Sequence, residues 1–369
     1  MTLRHVKGCG FLAAILLAGA TVAAGPSGDW PLFRGNALQT GVATTELPAQ
    51  LKVRWKLHVQ DSVEATAAIA NGVAYVPAMD EHLYSLDLNS GKEKWNYKAA
   101  PFKAAASVFN GGVYVGDTDG TFHCLNAADG KPRWTYKTGG EISSGANFIA
   151  GKVLFGSADE TLYCLSTDGK EQWQFKISGG PVLGSPAVVG DRTFASGCDS
   201  MLHVIETAKG TELSSTDLGG QVGATIAVRG DHIYVGTMTN QMLAVDWRKG
   251  QVSWKFEAAN NPQPFYASAA VTDKLVIAAS RDRRVYALDR QTGKEAWNYP
   301  TRGRIDGSPV VVGGRVYVGS GDGKLYVLDL AKGTELQKID LGGPITASPA
   351  VGERCLVIGT TRGDVYCLE

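Results

Sequence analysis

The chain has 369 residues, 44% of them hydrophobic, so it can bury a large core. Its 36 basic side chains are matched by 36 acidic ones, and a chain with no formal net charge gives no reason to expect nucleic acid as a partner.

Residues 1–24 run from a basic start (Arg4, His5, Lys7) through FLAAILLAGATVAA to the small residues Val22 and Ala24, the pattern of a secretory signal peptide. The alternative is an uncleaved membrane anchor, but the apolar run is shorter than the roughly 20 residues a spanning helix needs. Cys9 precedes the apolar run and is badly placed to carry a lipid. The expected location is therefore outside the cytoplasm, either periplasmic or secreted. Contact with the outer membrane would come through a partner or the uncleaved segment. The five later cysteines, Cys124, Cys164, Cys198, Cys355 and Cys367, are odd in number, so at least one is expected to be a free thiol. Cys124, Cys164 and Cys367 share a repeat position with Ser85, Ala244, Ala287 and Val204, which reads as a small buried side chain.

A lead-in, residues 25–50, precedes a repeat region, residues 51–369, whose period is about 40 residues. HLYSLDLNSGKEKWNYK at 82–98 and RVYALDRQTGKEAWNYP at 284–300 show it plainly. Each unit reads as four short strands separated by turns. Between the second and third strands stand Asp80, Asp119, Asp159, Asp199, Asn240, Asp282 and Asp322, with Arg362 as the exception. A side chain of that kind can bond its own backbone and close the turn. The turn before the fourth strand carries Gly91, Gly130, Gly169, Gly210, Gly250, Gly293 and Gly333, which suits a left-handed backbone.

Third strands occur eight times, and the last unit, 345–369, lacks a fourth strand. LKVRWKLHV at 51–59 is a fourth strand with no unit before it, so it is expected to complete the last blade. The fold class is all-β: an eight-bladed β-propeller of four-stranded antiparallel blades, closed by the N-terminal strand, which removes two free sheet edges. The fourth strands carry Trp55, Trp95, Trp134, Trp173, Trp254 and Trp297, with Ser214 and Gln337 in the two remaining places. A feature repeated in almost every blade reads as packing between blades rather than as a set of ligand platforms.

ALDRQTGKEAW at 287–297 is similar to the tryptophan-docking repeat of quinoproteins, and SLDLNSGKEKW at 85–95 and AVDWRKGQVSW at 244–254 match it less completely. From about residue 51 onward the chain resembles the quinoprotein-type propeller family. One branch of that family holds pyrroloquinoline quinone (PQQ) and calcium, and a second, BamB-like branch is non-catalytic. The size of the chain and the opening DWPLFRGNALQTGV at 29–42 resemble the second branch. In that opening, Trp30 and Phe33 are expected to pack on the ring and Arg34 to bond to it, the alternative being a partner-binding arm. Quinone chemistry would need a carboxylate base, hard oxygen ligands for calcium and an arginine on the quinone carbonyls. The adjacent cysteine pair and long insertions that the resemblance implies for the catalytic branch are missing here. The histidines His58, His82, His123, His203 and His232 lack metal-ligand spacing, and there is no nucleophile-elbow or phosphate-loop motif.

A site is best sought where the repeat keeps its geometry while its chemistry varies. Two residues before the small residue of the first strand come Glu64, Lys103, Ser143, Leu183, Gly223, Tyr266, Asp306 and Thr346, a position expected near the channel mouth. The same face is expected to be dipolar. Blades one to three bring Asp80, Glu81, Asp117, Glu141, Asp159 and Glu160, and blades six to eight bring Arg281, Arg283, Arg284, Arg302, Arg304 and Arg362. The arginine sector suits an acidic segment of a protein partner, because guanidinium pairs with carboxylate through two bonds at once; solvated turn residues are the alternative reading. The expected function is a monomeric, non-catalytic interaction scaffold of the cell envelope, with no catalytic residue, metal or cofactor of its own. The alternatives are a PQQ- and calcium-dependent dehydrogenase, or a binder of small ligands or sugars stacked on Tyr266 and Phe265.

Overall fold

A computed structural model describes residues 28–258 and 262–369; the signal-like segment 1–24 lies outside these residues. Eight antiparallel sheets form the blades, each laid out from its first strand to its fourth. The seventh shows the pattern: Val310–Val312, Arg315–Gly319, Lys324–Asp329 and Glu335–Asp340. The second and third strands are apolar almost throughout because both faces press on neighbouring blades. The fourth is half solvated: in Glu295–Pro300, Trp297 points inward between exposed neighbours.

The closure follows the repeat count. Val53–His58 pairs antiparallel with Asp364–Leu368, placing Trp55 opposite Cys367. Reciprocal bonds between Lys52 and Glu369 (2.7 and 2.8 Å) and an Arg54–Glu369 ion pair at 2.5 Å extend the seam. Each of the six tryptophans reaches into the next blade. Trp173 Nε1, for example, donates to the Thr207 carbonyl at 3.0 Å, and its ring covers Gly210. The same geometry joins Trp55 to Leu88 and Gly91, and Trp297 to Leu330 and Gly333.

Both exceptions have a physical reason. Opposite Ser214, Trp247 of the receiving blade fills the space from the other side, donating to Gly230 O at 3.3 Å and packing against Phe194. Gln337 faces the one blade whose fourth strand arrives from elsewhere in the chain, so no turn glycine awaits it. Its amide instead bonds both backbone groups of Leu51 at 2.8 Å, just before the closing strand.

The turn aspartates act largely as expected. Asp80, Asp199, Asp282 and Asp322 each accept the backbone N–H two residues on, and Tyr84, His203, Tyr286 and Tyr326 bond their outer oxygens. The second blade is a correction: Asp117, not Asp119, holds the turn, accepting from Thr121 N at 2.7 Å and bonding His123 Nε2 at 2.9 Å. Cys124, Cys164 and Cys367 are fully buried, and all five described cysteines are free thiols.

The lead-in is a strap laid around one end of the ring. It exchanges two backbone bonds with Ile69 through Trp30, then accepts the N–H groups of Val108, Val188, Val228, Val271 and Val311 on Pro31, Ala37, Leu38, Thr40 and Gly41, all at 2.7–2.9 Å. In the third blade Asn147 donates from its side chain to Ala37 O at 2.8 Å. Val42–Ala43 then runs parallel to Val310–Val312 as a fifth strand, which the repeat pattern did not foresee. Trp30 packs in the core and Arg34 bonds the Ala269 and Pro309 carbonyls, so the opening motif is part of the ring rather than a free arm.

Candidate functional site

The first strands surround the axis, and all eight positions read as a channel mouth line one axial cavity: Glu64, Lys103, Ser143, Leu183, Gly223, Tyr266, Asp306 and Thr346. Two residues deeper lies a second layer, with Thr225, Ser268, Ser308 and Ser348 among its members. Phe33, carried in by the strap, floors the cavity, whose volume is about 180 Å³. Ordinary small-molecule sites run from roughly 300 to 1,000 Å³.

The second layer binds blade to blade. Gly145 N donates to Ser185 Oγ, Ser185 N to Thr225 Oγ1, Thr225 N to Ser268 Oγ, Ser268 N to Ser308 Oγ and Ser308 N to Ser348 Oγ, all at 2.8–3.0 Å. The sequence shows these positions as small; what they contribute is the hydroxyl. It satisfies first-strand N–H groups that would otherwise be buried without a partner.

The charges at the mouth differ from the expected dipole. In the acidic sector Glu81 pairs with Lys98 (3.1 Å), Glu141 with the rim residue Lys103 (3.5 Å) and Glu160 with Lys176 (3.9 Å). Asp80 and Asp159 are tied to tyrosines, and Asp117 is buried against His123. That side is internally balanced.

The basic sector is not. Arg281, Arg283, Arg302 and Arg304 line an open groove of about 440 Å³ between the sixth and seventh blades, together with Gln263 and Gly303. One carboxylate serves two of them: Asp306 meets Arg281 Nε at 2.5 Å and Arg304 Nε at 3.0 Å. Arg281 also lies over the Tyr266 ring at 4.1 Å. Arg284 and Arg362 do not join this group. Arg284 bonds Asn298 along its own sheet, and Arg362 Nη1 donates to Gly342 O at 2.6 Å. Phe265 is fully buried, and with Tyr266 covered by Arg281 the expected stacking surface for a sugar is not formed.

Among the described residues no group of three or more His, Cys, Asp and Glu side chains is placed to hold a metal ion. The rim carboxylates are committed, Asp306 to two arginines and Glu64 to Ser62 Oγ at 3.0 Å. His123 sits between Asp117 and Tyr97, and His203 between Asp199 and Glu212, as turn braces far from the axis. The axial cavity, at about 180 Å³, is smaller than an ordinary small-molecule site.

Residues 44–109, 99–192 and 158–369 match the family described as outer membrane protein assembly factor BamB. The chain belongs to the BamB family. In the solved structures, BamB from Moraxella catarrhalis superposes with a TM-score of 0.73 at 19% identity, covering 87% of this chain and 98% of that one. The quinohemoprotein alcohol dehydrogenase from Comamonas testosteroni superposes at 0.79 with 15% identity, covering 94% and 81%. Identities this low show a common propeller fold and nothing finer. A stretch of 131 residues is 35% identical to the serine/threonine-protein kinase AfsK of Streptomyces griseus; it is 33% of this chain and only 16% of the kinase. BamB-family and quinoprotein rings thus share this architecture.

Phe33 and Gln263 are the site residues that the repeat arithmetic did not single out for the axis and the groove. Phe33 belongs to a segment that occurs once, and its only signal was the WPLFRG motif itself.

Proposed function

We propose that this BamB-family chain is an exported, non-catalytic scaffold that holds a protein partner in the cell envelope. The observation that carries this reading is the axial cavity: at about 180 Å³ it is small, Phe33 enters its lining, and its second layer is spent on blade-to-blade hydrogen bonds, which favours the outer surface as the working part. The family's role, outer membrane protein assembly factor, supports the envelope as the setting and a protein as the partner. The signal-like segment 1–24 supports export.

The test is a titration of the purified protein with PQQ and calcium, followed by quinone absorbance and tryptophan fluorescence, beside chemical crosslinking in intact envelopes. The expected result is no saturable quinone binding and one stoichiometric protein adduct. Binding near one quinone per chain, lost on changing Glu64, Lys103 or Asp306, would replace the scaffold with a dehydrogenase.

A further inference from the structure

The groove between the sixth and seventh blades holds charge that the ring does not need. Arg283 occupies a turn position where the first and third blades carry Glu81 and Glu160, each paired with a lysine of its own fourth strand, Lys98 and Lys176. In the sixth blade the charge is inverted, and Pro300 stands where the lysine would be, opposite Arg284 in the sheet register as Lys98 is opposite His82. Arg302 stands where other blades have Gly139, Gly219 and Gly342. Neither guanidinium makes an ion pair or a side-chain hydrogen bond with any described residue, and both are exposed. Arg281 and Arg304, on the same groove, already grip the carboxylate of Asp306, so the corner shows what its arginines bind.

We propose that this groove docks an acidic peptide segment, whose carboxylates pair with Arg283 and Arg302 while Gln263 adds a neutral amide to the same groove. The proposal rests on the scaffold reading and names the chemistry of the partner's contact. Guanidinium matches carboxylate through two parallel bonds. Gly303 packs so closely on the next turn that a Cβ there would stand 2.2 Å from Asp322 N, which fixes the backbone wall of the groove. A membrane surface fits less well, because the exposed large apolar side chains, Leu38, Val53, Leu213 and Leu336, do not line the groove.

The experiment measures fluorescence anisotropy of a labelled peptide alternating Glu and Gly, with its Gln–Gly counterpart as control, against the purified full chain. The Glu peptide should bind, lose affinity as salt rises, and bind roughly tenfold or more weakly to the Arg283→Glu/Arg302→Glu variant. Lys170→Glu, a change on the exposed face of the third blade, should leave the affinity unchanged. Arg283→Gln, which removes charge without adding any, should give an intermediate loss, and unchanged unfolding midpoints show that the ring is intact. Equal binding of the two peptides, or binding indifferent to the arginine changes, would overturn the groove. Tighter capture of inorganic phosphate or of phosphatidylglycerol vesicles through the same arginines would overturn the peptide. In either case a quinone titration that stays blank leaves the scaffold reading standing.

Discussion

Trp173 lies flat on Gly210 of the next blade, so that a Cβ added to that glycine would stand 2.5 Å from the indole ring. Gly210 also has φ 72°, which a side chain adopts only with strain. Gly210→Ala should therefore cost about 1–3 kcal/mol, and Trp173→Ala about 3–5 kcal/mol. Because both changes break one contact, the double variant should lose less than the sum. Urea unfolding of the four proteins checks this, and strict additivity would mean that the tryptophan and the glycine act independently.

Gln337 clamps Leu51 through two hydrogen bonds at 2.8 Å, at the point where the closing strand enters. Gln337→Ala should destabilise by about 1–3 kcal/mol. More tellingly, hydrogen exchange should rise first at Val53–His58 and along Asp364–Leu368, leaving the fourth blade protected. Uniform exchange across the ring would contradict a local clasp.

The hydroxyl layer predicts unequal effects for one substitution. Ser308→Ala strips the acceptor from Ser268 N, which is buried, and should cost about 1–3 kcal/mol. Alanine stands at the equivalent place in the second blade and offers the Thr66 N–H no hydroxyl, so Ala105→Ser should supply one and stabilise by up to about 1 kcal/mol. Thermal unfolding of both variants tests the contrast.

Asp117 supplies a pH dependence. Burial alone would raise its carboxyl, but hydrogen bonds from His123 and the Thr121 amide, with the attraction of His123 and Lys137, hold it below the ordinary 3.8. A carboxyl depressed on folding adds stability that is complete above its unfolded value, near 3.9, and is lost as pH falls through the lower folded one. Asp117→Asn should therefore be less stable at neutral pH and show a shallower loss below about pH 4. Melting temperatures across the acid range check the slope, and parallel curves would refute the assignment.

What repeats was legible in the amino acids. The eight blades, the exchanged strand, the docking tryptophans and even the register of the channel mouth came from aligning the sequence with itself, because each blade solves the same packing problem in the same way. Whatever occurs once was harder to read. The strap has no second copy to reveal its bonds to the first strands. Gln337 looked like a missing tryptophan until Leu51 was seen against it. The charges misled for a related reason: Glu81 and Lys98 are seventeen positions apart in sequence yet 3.1 Å apart in space, so charges spaced along the chain read as surface charge that the sheet had neutralised. Arg284 and Arg362 were grouped with the groove arginines because they belong to blades six to eight, but Arg284 turns to Asn298 and Arg362 to the Gly342 carbonyl.

The strap also orders events in time. Its acceptors meet N–H groups from Ile69 to Val311, and Arg34 reaches the carbonyls of Ala269 and Pro309, so its seat exists only once seven blades stand side by side. The closing strand, which follows it, waits for Asp364–Leu368. Residues made early in synthesis thus find their places only after contacts spanning most of the chain have formed. A ring missing one blade would leave the strap with bonds it could not make, so seating the strap reports that assembly is complete.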